Sequence, residues 1–544
     1  QINKLHARVE KTTLDATGSL KDLLGDMLCD VRAKANVNLP DFRRYLESDG
    51  INTDLKGNAK GTVAAKIRLS ALQKMQLQKG VISGNLDITD LHLTYDSMLV
   101  DIPATNLTFR IPNQNPTKKS VGWIDATLKP TAVGFEMIDF LRANLDNSTI
   151  HLEASDVLNN SDFIYANLAL ETANLKAEMD SMGGTIRQPE LMAYVEYDSK
   201  TENAIPLVEA ALDFSDLQGS YTDINGHLTQ SSLTASLSGS RKDKSQPRAK
   251  VTLSTNSLKA NVGEDVKAQT GKLSLTAKAR RDPSKENLLL QWNPQLSIDL
   301  NDGVADLSAF GEQIQIPQIT FDYSNKVFNI SKSEIIIGKS DFSLVGEVRN
   351  IGNWLDKTGN LEGELSFTSD YTDVNELMDL LSAEEGTEEE PAPKTDTAAD
   401  SSADQTESDP FLVPKDVDLT LNTHIKQAAV FDQMARDLGG KLYVKDGILV
   451  LEEMGFICKA AKLQLTAMYR TPRRNHLYVG LDYHMLDINI EELINMIPQI
   501  DTMMPMLRSF RGAAEFHIAA ETYLNSKYEL KTSTTRGACS IEGK

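Results

Sequence analysis

The fold is decided by "SDFSLVGEV", residues 340–348, followed by "NLEGELSFTSDYTDVNELMDLLS", 360–382. The same phrase returns as "AKLQLTAMY", 461–469, followed by "NHLYVGLDYHMLDINIEELINMIPQ", 475–499. Each copy reads as a strand, a short connection, a second strand and an amphipathic helix. In the strand parts apolar and polar residues alternate, so one face is greasy and the other wet. In the helical parts the apolar spacing becomes three and four, with an Asp just ahead of the first turn as an N-cap. The two copies form a weak internal repeat.

The rest of the chain uses the same alternation. Val63, Ala65, Ile67 and Leu69 show it near the start, then Val208, Leu212 and Phe214, then Leu273 and Leu275, then Leu296 and Ile298. A single apolar face per strand is the mark of antiparallel sheet; parallel strands carry continuous apolar runs. "NDG" at 301–303, "KDG" at 445–447 and "TNS" at 255–257 read as turns between strands. Helical spacing is predicted for residues 19–29, 40–46, 135–145, 373–381 and 487–497.

The 544 residues are 40% apolar and 6% aromatic, enough for a thin core. The net charge of −21 repels phosphate backbones and disfavours nucleic acid as a partner. No run of 18 apolar residues offers a membrane span. Three cysteines at wide spacing make neither a disulfide framework nor a metal site. The chain opens on Gln1 and closes inside a strand-like segment, as expected of a piece truncated at both ends. Residues 383–410 hold ten acidic residues and one Lys, and read as a disordered acidic linker. The expected organisation is an N-terminal strand and helix segment over 1–50, β-groove repeats over 51–382, the linker 383–410, and a C-terminal repeat with its helix over 411–544.

Catalytic signals are poor. No nucleophile elbow, zinc-protease helix, P-loop or dinucleotide fingerprint occurs. His476 and His484 share the polar side of one strand with Asp482 between them, but eight residues at strand rise put them roughly 27 Å apart. They cannot share a metal. The expectation is a non-enzyme with no catalytic, cofactor-binding or metal-binding residues, whose chemistry lies in its apolar face.

An apolar face has to be covered. It can meet a second sheet, close into a barrel, or curl into a trough. The sparse aromatics and abundant Leu, Ile, Val and Ala suit a smooth trough. Candidate floor residues are those named above with Phe342, Leu344, Leu365, Phe367, Leu463, Leu465, Leu477, Val479 and Leu481. Ile490, Leu493, Ile494 and Ile497 are candidates for a helical lid, in a Met-rich stretch that also reads as packed core.

The idiom of "IPQITFDYSNKVFNISKSEIIIGKSDFSLVGEVRNIGNWL" (316–355) and "DLTLNTHIKQAAVFDQMARDLGGKLYVKDGILVLEEMGF" (418–456) resembles the AsmA-like family of Gram-negative envelope proteins. Residues 69–113 and 224–239 share it. The likeness rests on strand alternation and glycine placement over most of 51–544. It implies a mainly β fold, an elongated, twisted antiparallel ribbon curled into an apolar groove with a few short helices. It implies an inner-membrane anchor before residue 1, a periplasmic location, envelope protein partners, and carriage of phospholipid between the two membranes. The alternative is a non-enzymatic structural or assembly factor of the envelope, a closed β-sandwich array without a lipid cavity.

Overall fold

Period-two segments fold as strands because only the extended backbone puts alternate side chains on opposite faces. The structure, a computed structural model, describes residues 2–45, 53–74, 76–111, 122–155, 163–201, 203–240, 243–281, 291–308, 312–324, 326–383, 411–430, 433–496 and 512–543. Among these the chain is mainly β, with 31 strands and a few short helices. It divides into two units. The first is Gln1–Gly263 with Gln269–Glu286 and Gln291–Pro294. The second is Glu264–Ala268, Asn287–Leu290 and Gln295–Lys544.

The first unit opens as an antiparallel meander of β1 (Ile2–Val9), β2 (Thr12–Lys21), β3 (Leu28–Asn38), β4 (Thr53–Arg68), β5 (Val81–Tyr95) and β6 (Met98–Ile111). Beyond β6 each passage across the sheet is split in two. β7 (Gly122–Pro130) and β8 (Ala132–Met137) pair with opposite halves of β6. One arm continues from β7 through β10 (Thr149–Ser155) and β11 (Phe163–Glu171) to β14 (Glu190–Asp198). The other runs from β8 through β9 (Leu141–Asp146) and β12 (Asn174–Met179) to β13 (Met182–Arg187). β15 (Leu207–Tyr221) pairs with both β13 and β14 and rejoins the arms. β16 (Ile224–Gly239), β17 (Pro247–Val262) and β19 (Leu273–Arg280) follow, while β18 (Val266–Thr270) is divided between the two units.

A seam therefore crosses the strands between the two arms. Asn147, Gln188 and Gln230 lie on it with φ of 50°, 49° and 46°. That left-handed conformation is uncommon for a residue with a Cβ. Buried hydroxyls hold the seam. Ser148 Oγ donates to Thr172 Oγ1 at 2.9 Å, which donates to the Asp146 carbonyl at 2.7 Å. Ser231 Oγ donates to Thr255 Oγ1 at 2.8 Å, and Thr255 reaches the Ser257 carbonyl at 2.8 Å. These bonds occupy backbone groups where the ladder is interrupted.

The second unit contains β20 (Gln295–Leu307), β21 (Gln313–Ser324), β22 (Val327–Ile337), β23 (Ser340–Arg349) and β24 (Leu361–Asp373). It continues through β25 (Val417–Val430), β26 (Gln433–Lys445), β27 (Ile448–Ile457), β28 (Lys462–Arg473), β29 (His476–Asn489), β30 (Ala513–Leu524) and β31 (Arg536–Gly543). Sequential neighbours pair antiparallel, with one correction to the expected ribbon: β24 and β25 are parallel, from Leu361↔Val417 to Asp373↔Ala429. Parallel neighbours need a crossover of a dozen or more residues. The helix Val374–Ala383 and the acidic segment supply that length. Residues 384–410 of the expected linker lie outside the described residues.

Two predicted helices are strands. Residues 19–29 span the end of β2, a turn and the start of β3, and 135–145 span β8, a turn and β9. The helical spacing came from apolar residues at hairpin tips, where Leu23 and Leu24 are exposed. The predicted helix at 40–46 is a 3-10 turn, Leu39–Tyr45, and residue 46 lies outside the described residues. The helices after β24 and β29 are present, as Val374–Ala383 and Ile490–Met496. Of the three turn signals only "KDG" makes a hairpin, with Asp446 and Gly447 both at positive φ. "NDG" and "TNS" lie inside β20 and β17.

Gly346, in the deciding phrase, has φ 137°, and a Cβ there would stand 2.2 Å from the Glu364 carbonyl oxygen. Gly226 in β16 has open space around it. Gly346→Ala is expected to destabilise by about 1–3 kcal/mol, whereas Gly226→Ala changes stability by less than about 1 kcal/mol. Denaturant titration of the two variants beside the parent checks the difference.

Candidate functional site

Register turns single-strand alternation into continuous rows. In the first unit one row reads Ala7, Leu14, Ala35, Gly61, Leu86, Leu107 and Leu128 across β1 to β7. It continues as Ile150, Leu170, Leu191, Leu212, Leu233, Leu253 and Leu275 through β10, β11, β14, β15, β16, β17 and β19. A second row, two residues along each strand, includes Val63, Phe109, Leu152, Leu168, Ala210 and Val251. Neither row contains a polar residue. At about 4.8 Å per strand, fourteen strands give a track on the order of 60 Å.

The other arm carries its own row: Val133, Leu145, Leu175, Ile186, Leu217, Leu228 and Leu258. The apolar positions of β16 are odd at Leu233 and Leu237 but even at Leu228. A slip of one residue would send one set to the wet face. β15 and β17 change parity at the same place with the pairing otherwise in step, and in β16 the change falls at Gln230, whose φ is positive.

The second unit repeats the device. Ile298, Phe321, Ile330, Gly346, Leu365 and Leu421 align across β20 to β25. Leu442, Leu451, Ala467, Leu481, Ala520 and Gly537 complete the row to β31. Phe342 stacks on Phe367 at 5.7 Å beside Leu344.

These rows are not sealed. Every Leu and Ile in the long row of the first unit is only half-buried, and Leu152 and Val251 beside it are 37% and 38% exposed. A second sheet packed on this face would bury such positions almost completely. Two rows over fourteen strands have a footprint on the order of 800 Å², larger than the apolar patches typical of monomers.

Most candidate floor residues take places on these faces: Val63, Ala65, Val208, Leu212, Leu273 and Leu275 in the first unit, and Leu296, Ile298, Leu344, Leu365, Leu463, Leu465, Val479 and Leu481 in the second, all half-buried. Four candidates differ. Ile67, Phe214 and Leu477 are buried, so they anchor structure and do not line the open apolar face. Ile67 lies under Gly80, and Phe214 sits at the seam. Leu69 is not on a strand; it opens the helix Leu69–Gln73. Of the helical candidates, Ile490 and Leu493 are buried with Ala460, Ala461 and Ile488, while Ile494 packs with Leu463, Met485 and Phe516 against that cluster. Ile497 lies outside the described residues. The helix therefore covers the end of the apolar face it follows.

The opposite face is polar. An open crease of about 710 Å³ follows the seam there, with Glu171, Glu190 and Asp213 side by side in register. Sequence reasoning missed the seam itself, whose signal is the parity change within β16. It also missed His517, which register brings beside His484. No family model, curated protein or solved structure matches this chain.

Leu233→Ala, in the half-buried row, is expected to cost about 1 kcal/mol from lost apolar area. Phe214→Ala, which removes a buried ring at the seam, is expected to cost about 3–5 kcal/mol. Equal losses of roughly 3 kcal/mol or more in both, measured by urea unfolding, would mean that a second layer covers the row.

Proposed function

We propose that this chain carries the acyl chains of phospholipids along its apolar rows, between the two membranes of a Gram-negative envelope, without catalysing a reaction. The observation that supports the reading is the unbroken, half-exposed rows of aliphatic side chains in each unit. A lipid lifted from a bilayer exposes some 30 methylenes, a cost on the order of 20 kcal/mol in water. Rows of Leu and Ile shelter those methylenes at every strand. They offer no polar group to hold a tail at one position, so the profile along the row stays shallow. The polar opposite face keeps the sheet wetted on its other side.

The resemblance to AsmA-like proteins points the same way and supplies the location, periplasmic with an inner-membrane anchor, and the envelope partners. The helix Ile490–Met496, laid on the apolar face, closes the track locally and gives it an end.

The test is lipid extraction and native mass spectrometry of the purified chain. Phospholipid is expected at more than one molecule per chain. Leu212→Asp and Leu365→Asp each put a charge in the middle of a row and are expected to lower bound lipid several-fold while leaving far-ultraviolet circular dichroism unchanged. A lipid-free parent chain would end this reading in favour of a structural or assembly role.

A further inference from the structure

We propose that Asp482, His484 and His517 form a binding site for a transition-metal dication of the zinc class, on the polar face of β29 and β30. The site is independent of the lipid reading, because it uses the other face of the same strands.

The register creates it. His484 and His517 are direct cross-strand partners, and Asp482 precedes His484 by two residues on the same face. The two imidazole rings stack with centroids 4.0 Å apart and planes 10° from parallel. Nε2 of each ring lies 2.9 Å from the same oxygen, Oδ1 of Asp482. The ligating atoms of all three residues fall within 4.8 Å of one another.

This differs from the other histidine–aspartate pairs on the sheet. His6 with Asp15 and His92 with Asp101 each place one imidazole on one carboxylate. Among the described residues only Asp482 gathers two. A dication held between the two Nε2 atoms takes both ring nitrogens and the carboxylate oxygen as ligands.

Two imidazoles and one carboxylate suit zinc, nickel or copper better than calcium or magnesium, which prefer all-oxygen sets. Zinc takes nitrogen and carboxylate oxygen at about 2.0–2.2 Å and accepts three protein ligands with a water in the fourth position. Small rotations of exposed side chains bring the three donors to that geometry. His484, His517 and Asp482 are 40%, 39% and 50% exposed, so an ion reaches them from solvent. The bound ion would pin β29 to β30 from the face opposite the apolar row.

The experiment uses the full chain after chelator dialysis. Zn²⁺ is titrated calorimetrically, and Co²⁺ by its visible absorption. One equivalent is expected to bind, and His484→Gln or His517→Gln is expected to weaken that binding by more than about tenfold. His476→Gln, at a histidine stacked on Tyr523 elsewhere on the same face, is expected to leave it unchanged. Diethyl pyrocarbonate modification read by peptide mass spectrometry gives a second readout: saturating Zn²⁺ should protect His484 and His517 but not His6 or His92. Binding of equal strength in parent and His484→Gln chains, or modification of His484 and His517 at rates indifferent to Zn²⁺, would overturn the proposal.

Discussion

Cross-strand register is the constraint on which the rest depends. Leu170, Leu191, Leu212 and Leu233 meet because each strand is held at one offset from its neighbour. A one-residue slip would place Leu212 beside a residue of the wet face and break the row. In the first unit the seam extends this control over strands longer than one regular ladder. Its left-handed Asn147, Gln188 and Gln230 cost backbone strain, and buried Ser and Thr hydroxyls offset it. Each arm keeps its own continuous aliphatic row on either side of the seam.

Much of this was legible in the sequence, and the failures share a cause. Alternation gave the strands, because the side-chain period is a property of the local backbone. The helices after β24 and β29 were equally legible from spacing and an N-terminal Asp. "NDG" and "TNS" were misread because a turn and a mid-strand bulge both use residues that tolerate positive φ or bond their own backbone. Residues 19–29 and 135–145 were misread because a hairpin tip with exposed Leu23 and Leu24 imitates helical spacing. The parallel pairing of β24 with β25 is decided by contacts across a long crossover, which no local pattern records. The continuity of the rows and the meeting of His484 with His517 are likewise products of register between distant segments. Ile67, Phe214 and Leu477 show the converse: correct parity does not reveal which apolar positions become covered.

The two faces divide the labour of the sheet. On one, aliphatic side chains form rows without polar interruption, which is the arrangement a sliding hydrocarbon chain requires: shelter everywhere and tight binding nowhere. The residual exposure of those side chains is a standing cost to the free protein, one that the proposed hydrocarbon cargo would relieve. The other face carries charged and hydroxylated residues, which at β29 and β30 converge into a candidate ion site. The helix Ile490–Met496 marks where the apolar face is closed by the chain itself.

The central claim is that hydrocarbon tails lie on the apolar face and not on its reverse. Quenching of single introduced tryptophans by phospholipid brominated in its acyl chains measures this directly, with the signal of the native tryptophans subtracted. Leu212→Trp is expected to be quenched strongly and Asp213→Trp, one residue away on the opposite face, hardly at all. Equal quenching at the two positions, or none at either, would contradict the claim.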